Sequence, residues 1–334
     1  GAGIAMNDSA SANLGARMRS KARPAFITLL AVASAACGAP AAPPSPAPSP
    51  AAASAAPAAV LPVSDALLLP RKPGSLRFAV IGDSGRGDRP QYEVAAQMQA
   101  FRKEFEYDFV LMLGDNVYEG STPEDYRQKF ELPYKPLLDA GVKFYAVLGN
   151  HDEPNQHLYP LFNTGGRRYY TFKPDKKGLG NVVGPGVRFF MLDTENVNAA
   201  QILWLRRELA SSGSDWKIAV FHRPMYTSGR YALPAQRFRR LLEPALVLHG
   251  VSVTFAGHEH FYERTAPQRG IVHFISGGAG SLRRGDIRRT GLTAAGFDRD
   301  YHFMLVEIAG DDLHFQAVSR TGAVVDSGTI ARRR

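Results

Sequence analysis

Seven short apolar runs, at 76–81, 109–113, 144–148, 187–192, 216–221, 251–255 and 271–275, are bounded by turn residues and read as buried strands. Within one or two residues of the ends of five of them stand polar clusters: Gly82-Asp83-Ser84-Gly85, Gly114-Asp115-Asn116-Val117-Tyr118, Gly149-Asn150-His151-Asp152, His222-Arg223-Pro224 and Gly257-His258-Glu259-His260. Helical spacing lies between several runs, in Val94, Met98, Phe101 and Phe105 and again in Ile202, Leu205 and Leu209. Strands alternating with helices predict a layered α/β domain with a largely parallel sheet. Later runs at 303–308, 313–318 and 323–330 are joined by Gly310-Asp311-Asp312 and Arg320-Thr321-Gly322, so they predict antiparallel hairpins and a mixed second sheet. Ligands of α/β folds bind beyond the carboxyl ends of strands, where these clusters stand.

A lone Asp after a strand is most often a turn or cap residue, and a lone His there is most often a hydrogen-bonded core residue. Five clusters at successive strand ends, one of them His-x-His, exceed what those ordinary roles require. Asp83, Asp115, Tyr118, Asn150, His222, His258 and His260 are all oxygen or imidazole donors. Such a set suits two hard or borderline metal ions a few ångströms apart, sharing one carboxylate. With Cys37 the only cysteine, the chain can form neither an internal disulfide nor a thiolate cage.

The remaining composition narrows the class. Of 334 residues, 45% are hydrophobic and 21% charged, the balance of a globular protein. Forty Lys and Arg against 31 Asp and Glu give a net charge of +9, which favours anionic partners. The longest basic run is Arg332-Arg333-Arg334 and no aromatic–basic interleaving occurs, so no nucleic-acid partner is expected. From Met18, Arg19, Lys21 and Arg23 precede an apolar stretch at 25–36, the layout of a secretory signal. Cys37 follows Ala35-Ala36 and resembles a bacterial lipoprotein processing site; Ser34 stands where that pattern usually has Leu, and ordinary cleavage near Ala33-Ser34-Ala35 is the alternative. The chain is thus expected to be exported, either lipid-anchored through Cys37 facing the periplasm or exterior, or secreted. The expected division is 1–37 signal, 38–75 linker and 76–332 catalytic domain, because 38–62 is almost wholly Ala, Pro and Ser and has little to bury.

The ordered series GDSG, GDNVY, GNHD, a strand ending in His222, and GHEHFYERT resembles the calcineurin-like metallophosphoesterases, and specifically the purple acid phosphatases of the small, tartrate-resistant type. Tyr118, three residues after Asp115, carries the finer resemblance, since most metallophosphoesterases lack a tyrosine ligand there. The resemblance extends over about 78–330. It implies a sandwich of two mixed β-sheets flanked by helices. It also implies two metal ions, Fe(III) held by Asp83, Tyr118 and His260, and a divalent ion (iron, zinc or manganese) held by Asn150, His222 and His258, with Asp115 bridging. The catalytic residues it implies are Asp115 and His151, the latter helping to protonate the departing alkoxide. Asn150 and His151 would contact phosphate, and Asp152 would orient His151 or serve as a turn carboxylate. Outside the resemblance, Arg223, Tyr226 and Arg230 follow His222 closely and either touch substrate or are ordinary surface residues of a long loop.

The reaction implied is hydrolysis of a phosphoric monoester in a phosphorylated small molecule or phosphoprotein, by metal-activated hydroxide attacking phosphorus in line, in a monomer. Other readings remain open at this level. A phosphodiesterase of the same superfamily would use the same core. Gly82-Asp83-Ser84 with Asp311 and His314 resembles a GDS-type serine esterase, and a metal-binding lipoprotein without catalysis would keep the same donors. Arg283, Arg284, Arg288 and Arg289 form either a pocket rim or a solvated loop. His157, His249, His273, His302, His314 and Asp193 match no motif and are expected to be structural.

Overall fold

The computed structural model describes residues 63–174, 186–213, 215–288 and 290–334, all within the unit Ala55–Arg334. Strand β1 (Leu76–Ile81) pairs in parallel with β2 (Phe109–Met112), which pairs in parallel with β3 (Lys143–Ala146). On its other edge β1 runs antiparallel to β11 (His302–Ala309), followed by β12 (Asp312–Ser319) and β13 (Val324–Ala331). This six-stranded sheet has the order β13-β12-β11-β1-β2-β3.

The second sheet has β5 (Val187–Met191), β6 (Trp216–Phe221), β7 (Val253–Ala256) and β9 (Val272–Ser276) in parallel. Antiparallel strands β4 (Tyr170–Phe172), β8 (Tyr262–Thr265) and β10 (Thr293–Phe297) complete the order β10-β8-β9-β7-β6-β5-β4. Both sheets are mixed, so the antiparallel hairpins expected at the C-terminal end extend the first parallel core instead of forming a sheet of their own.

Alternation along β1 explains the layering, because successive side chains of a strand point to opposite faces. Phe78 and Val80 face the second sheet and pack with Phe109, Phe189, Trp216, Phe255, Phe274 and Val306. Ala79 and Ile81 face the other way, onto Val94, Met98, Phe101 and Phe105 of the segment that includes helix α2 (Arg89–Glu104). The outer face of the second sheet is covered by α5 (Ala199–Ala210) and α6 (Ala232–Leu248), through Leu205, Leu209, Phe238, Leu242 and Leu246. Short helices α1 (Val63–Ala66), α3 (Pro123–Tyr126) and α4 (Lys135–Asp139), a π-helical turn at Arg127–Glu131 and 3-10 turns at Gln156–Leu158 and Pro160–Phe162 complete the helices of the described residues. Both faces of each central strand are therefore largely buried, which is why the runs read as apolar apart from Arg77, Arg188 and Lys217 near the strand starts. Each buried Phe contributes roughly 1.5–3 kcal/mol relative to exposure.

Helices α2 and α5 start at side-chain caps, Asp88 accepting from the Gln91 N–H and Asn198 from the Gln201 N–H. Among the described residues no helix is long and apolar enough to cross a membrane.

The packed domain begins before the expected boundary at Leu76. Ala66 and Leu69 are buried in the core under α2. The buried Gln316 accepts from the Leu68 N–H, and the buried Glu307 accepts from the N–H groups of Arg71 and Lys72. Composition misses this because the contacts are backbone bonds to distant side chains. Strands β4, β8 and β10 are likewise absent from the sequence reading; they are short, partly polar and paired antiparallel, β4 and β10 at the two edges and β8 between β10 and β9. The residues 1–62, with the expected signal, Cys37 and the Ala/Pro/Ser segment, lie outside the described residues.

Candidate metal centre

The ends of β1, β2 and β3 in one sheet and of β6 and β7 in the other converge, and each delivers one polar cluster. Asp83, Asp115 and His258 all have left-handed backbones, with φ of 54°, 52° and 70°. Non-glycine residues seldom adopt this conformation, which costs roughly 1–3 kcal/mol at each site and concentrates where function demands it. Two glycines are required by close approach. A Cβ at Gly149 would lie 2.2 Å from Asp115 Oδ1, and one at Gly257 would lie 2.6 Å from Asp83 Oδ2.

One side of the pocket gathers Asp83, Asp115 and His260, whose ligating atoms all lie within 4.8 Å of one another. His260 Nε2 is 3.2 Å from Asp83 Oδ1 and 3.5 Å from the Tyr118 hydroxyl. Asp83 Oδ2 accepts the His258 N–H at 2.8 Å, whereas the fully buried Oδ1 has no hydrogen-bond partner. A buried carboxylate oxygen without a donor is a costly feature that a cation would satisfy.

On the other side, His222 Nδ1 donates to the Leu113 carbonyl at 2.9 Å, which turns Nε2 into the pocket. That nitrogen lies 3.1 Å from Asn150 Oδ1, 3.5 Å from Asp115 Oδ1 and 3.2 Å from His258 Nδ1. Oxygen and imidazole atoms gathered in this way fit a cation, which would take the place of the protons they share. Asp115 lies on both sides of the pocket, as a bridging carboxylate must.

The electrostatics agree. Burial first, and then the neighbouring Asp115, push the Asp83 carboxyl well above the usual range despite the His222 charge. Burial and the two carboxylates likewise raise the Tyr118 phenol, so without added positive charge it stays protonated. Burial and the Arg283 guanidinium lower His260 to about 3, and burial with His222 and Arg223 lowers His258. Only Asp115 and His222 favour their charged forms: against the effect of burial, each is held there chiefly by the other. Most of the pocket is driven toward neutrality; metal ions would reverse that drive for Asp83 and Tyr118, while the neutral imidazoles of His258 and His260 are already in the form that ligates a metal. The residues present therefore fit a dinuclear centre.

Surrounding groups fix these donors, and several were not singled out by sequence reading. Ser281 Oγ lies 3.1 Å from the Tyr118 hydroxyl and accepts from Arg86 Nε at 2.6 Å, while the Arg86 guanidinium stacks 4.2 Å from the Tyr118 ring centre. Arg283 donates to the His258 carbonyl at 2.7 Å and lies 3.5 Å from the buried Glu259, so it braces the His-x-His loop; the rim reading of the arginines does not apply to it. These partners are far apart in sequence, and no motif links them. Asp152 does not orient His151. Its two oxygens accept from the N–H groups of Asn116, Val117 and Gly149 and from the Asn116 side chain, tying the second and third loops together. The turn role applies.

Asn150 and His151 are exposed at the pocket mouth, with the His151 ring 5.0 Å from that of Tyr118 and its N–H donating to Asp115 Oδ1. Arg223 lies beside the centre, donating from Nη1 to His258 Nε2 at 3.0 Å and pairing with Glu195 at 2.9 Å. Tyr226 departs from the expectation that it reaches substrate: its hydroxyl donates to Glu243 on α6 at 2.6 Å and its ring packs against His273 and Arg239. The esterase triad is not assembled. Ser84 is buried, His314 bonds Thr329 on the outer strands β12 and β13, and Asp311 pairs with Arg332 and Arg334. Asp193 caps a turn by accepting the N–H groups of Glu195 and Asn196, and buried His273 and His302 are both lowered by desolvation to about 3.

The model of the family described as calcineurin-like phosphoesterase matches residues 76–262, more than half of the chain and all five clusters. The chain belongs to that family. This calcineurin-like phosphoesterase is 23% identical over 305 residues to tartrate-resistant acid phosphatase type 5 of Rattus norvegicus, covering 78% of this chain and 91% of that protein. Purple acid phosphatase 17 of Arabidopsis thaliana is 29% identical over 241 residues, covering 64% of this chain and 71% of that protein. Among solved structures, GAP50, the anchor in the inner membrane complex of Plasmodium, superposes with a TM-score of 0.68 at 20% identity, covering 78% of this chain and 90% of that one. Purple acid phosphatase PPD1 from yellow lupin (Lupinus luteus) seeds gives 0.62 at 21%, covering 78% and 55%. The two-sheet fold of the calcineurin-like phosphoesterase is thus that of its structural relatives, and its homologues imply a dinuclear metal centre.

Proposed function

We propose that this calcineurin-like phosphoesterase is a bimetallic phosphomonoesterase of the acid phosphatase type, with Fe(III) at Asp83, Tyr118 and His260, a divalent iron, zinc or manganese ion at Asn150, His222 and His258, and Asp115 between them. The observation that carries the reading is the gathering of Asp83, Asp115 and His260 within 4.8 Å of one another beside a buried carboxylate oxygen that lacks a hydrogen-bond partner, with Tyr118 at 3.5 Å from His260 and with Asn150, Asp115 and His258 at 3.1–3.5 Å from His222. Two bound cations supply positive charge to phosphate oxygens and lower the pKa of water, the chemistry that phosphoester hydrolysis needs.

The chain's own side chains do the rest. Leu113 and the His258 N–H hold His222 and Asp83 in register, so the donors are preorganised before any ion arrives. The exposed Asn150 and His151 stand where a phosphate reaches the pocket, and His151 is suited to give a proton to the departing alkoxide. Arg223 supplies a fixed cation on the same side, held by Glu195. A phosphorylated small molecule or phosphoprotein is the substrate class. The basic and apolar segment from Met18 to Cys37 supports export, with Cys37 as a lipid attachment point or with ordinary cleavage just before it, and a monomer is the simplest assembly.

The test is a visible spectrum of the purified full chain with metal analysis, recorded before and after mild reduction, alongside hydrolysis of p-nitrophenyl phosphate. Two metals per chain, a purple band that bleaches on reduction, and turnover are expected. Two metals with turnover but no band under oxidising conditions would remove iron–tyrosinate chemistry from the reading, and absence of metal would remove the centre itself.

A further inference from the structure

Beside the centre lies a second cleft of about 370 Å³, lined by Arg223 and Glu195 on one wall and by Leu233, Arg237, Phe238 and Arg240 of α6 on the other. Arg223 is the shared partition, since its Nη1 touches His258 while its Nε and Nη2 bond Glu195. Three arginines face one glutamate, and that glutamate is already paired. Arg237 and Arg240 are exposed and form no ion pair among the described residues, whereas the neighbouring Arg239 is stacked on Tyr226. Leu233, 77% exposed at the start of α6, adds an apolar surface to the same cleft.

Unpaired cations beside an apolar surface, one side chain away from a phosphate-binding centre, form a site for the leaving group. We infer that this cleft is a specificity subsite for phosphomonoesters whose leaving group carries a second anionic group, a phosphate or a carboxylate, across a short apolar spacer. The inference rests on the phosphatase reading and names the substrate class for it. With the scissile phosphate at Asn150 and His151, Leu233 takes the spacer, and Arg237 and Arg240 bind the distal anion. An exposed guanidinium recognises phosphate and carboxylate through the same forked donors, so the distal group is defined by its charge.

The experiment compares three esters of similar alkylphenol leaving groups on the full chain: 4-(phosphonomethyl)phenyl, 4-(carboxymethyl)phenyl and 4-ethylphenyl phosphate. In the wild type kcat/KM should fall in that order, with about a tenfold span, the size of one charge-assisted hydrogen bond near a surface. In the double variant R237A/R240A the ratio of the first to the third ester should collapse toward one. Arg206→Ala, which removes an exposed charge on α5, should keep the wild-type ratio. Equal kcat/KM for the three esters in the wild type, a preference that survives in R237A/R240A, or an equal loss in Arg206→Ala would each overturn the subsite while leaving the phosphatase reading standing. Failure to hydrolyse any of the three would overturn both.

Discussion

The two halves of the metal pocket are built by the same device, a turn at a strand end, yet they differ in charge and access. The half made by Asp83, Tyr118 and His260 has its carboxylate and phenol buried and its imidazole half-buried, with Arg86 and Ser281 packed around the phenol. The half made by Asn150, His222 and His258 offers an amide and two imidazoles with no acidic side chain of its own, opens to solvent at Asn150 and has Arg223 beside it. Anionic ligands stabilise a cation of higher charge, and neutral imidazole and amide donors suit a divalent one. On the proposed assignment the first half would hold the more highly charged ion away from water, and the second would meet substrate.

The largest effect is expected where the halves join. Asp115→Asn removes the shared anion, so metal analysis should find both ions lost or weakened. Turnover should drop by about 10³-fold, equivalent to the several kcal/mol that metal charge supplies. A variant that keeps both ions and full turnover would mean that the two sites do not share this carboxylate.

Next comes a reciprocal pair. Tyr118→Phe should abolish the visible band while metal analysis still finds the divalent ion, whereas Asn150→Ala should lose divalent ion and keep the band. If both variants lose the same ion, the division into halves is wrong. A smaller effect is expected for Ser281→Ala, which removes the hydroxyl beside the Tyr118 oxygen and the bond to Arg86. Its band should shift, and affinity for the first ion should weaken by about 10–100-fold, as for other groups that orient metal ligands. The divalent site should not respond. The smallest effect is expected for Ser84→Ala, which should leave most phosphatase turnover intact; loss of hydrolysis with metals still bound would revive a serine nucleophile.

The comparison also separates what was legible from what was not. Strands β1 and β6 have the bounds their apolar runs predict, because both faces of each are buried and only Arg77 and Lys217, each second in its strand, interrupt the hydrophobic pattern. Strand β10 has the pattern Thr-Ala-Ala-Gly-Phe with every residue partly or fully exposed, and nothing in it distinguishes strand from loop. At the site, the metal-type donors were readable because each follows a strand and a tight turn. Tyr226 was misread because adjacency to His222 in sequence says nothing about direction, and the chain turns its hydroxyl to Glu243 on α6. Asp152 could be read two ways until its four N–H donors, contributed by residues 116, 117 and 149, were seen.

By itself the sequence determined the layered α/β class, the family and the chemical character of the donors, since these depend on local patterns: apolar runs, glycine turns and the residues that follow them. Only the tertiary structure decided which donors face one another, which arginines brace and which stand free, and that the cleft proposed for the leaving group adjoins His258. Those outcomes depend on the packing of two sheets against each other, which brings residues more than a hundred positions apart within about 3 Å, as with His222 and the Leu113 carbonyl at 2.9 Å. Hydrogen bonds and Coulomb interactions act over such short distances, and pairings of that kind are not recorded in the order of residues along the chain.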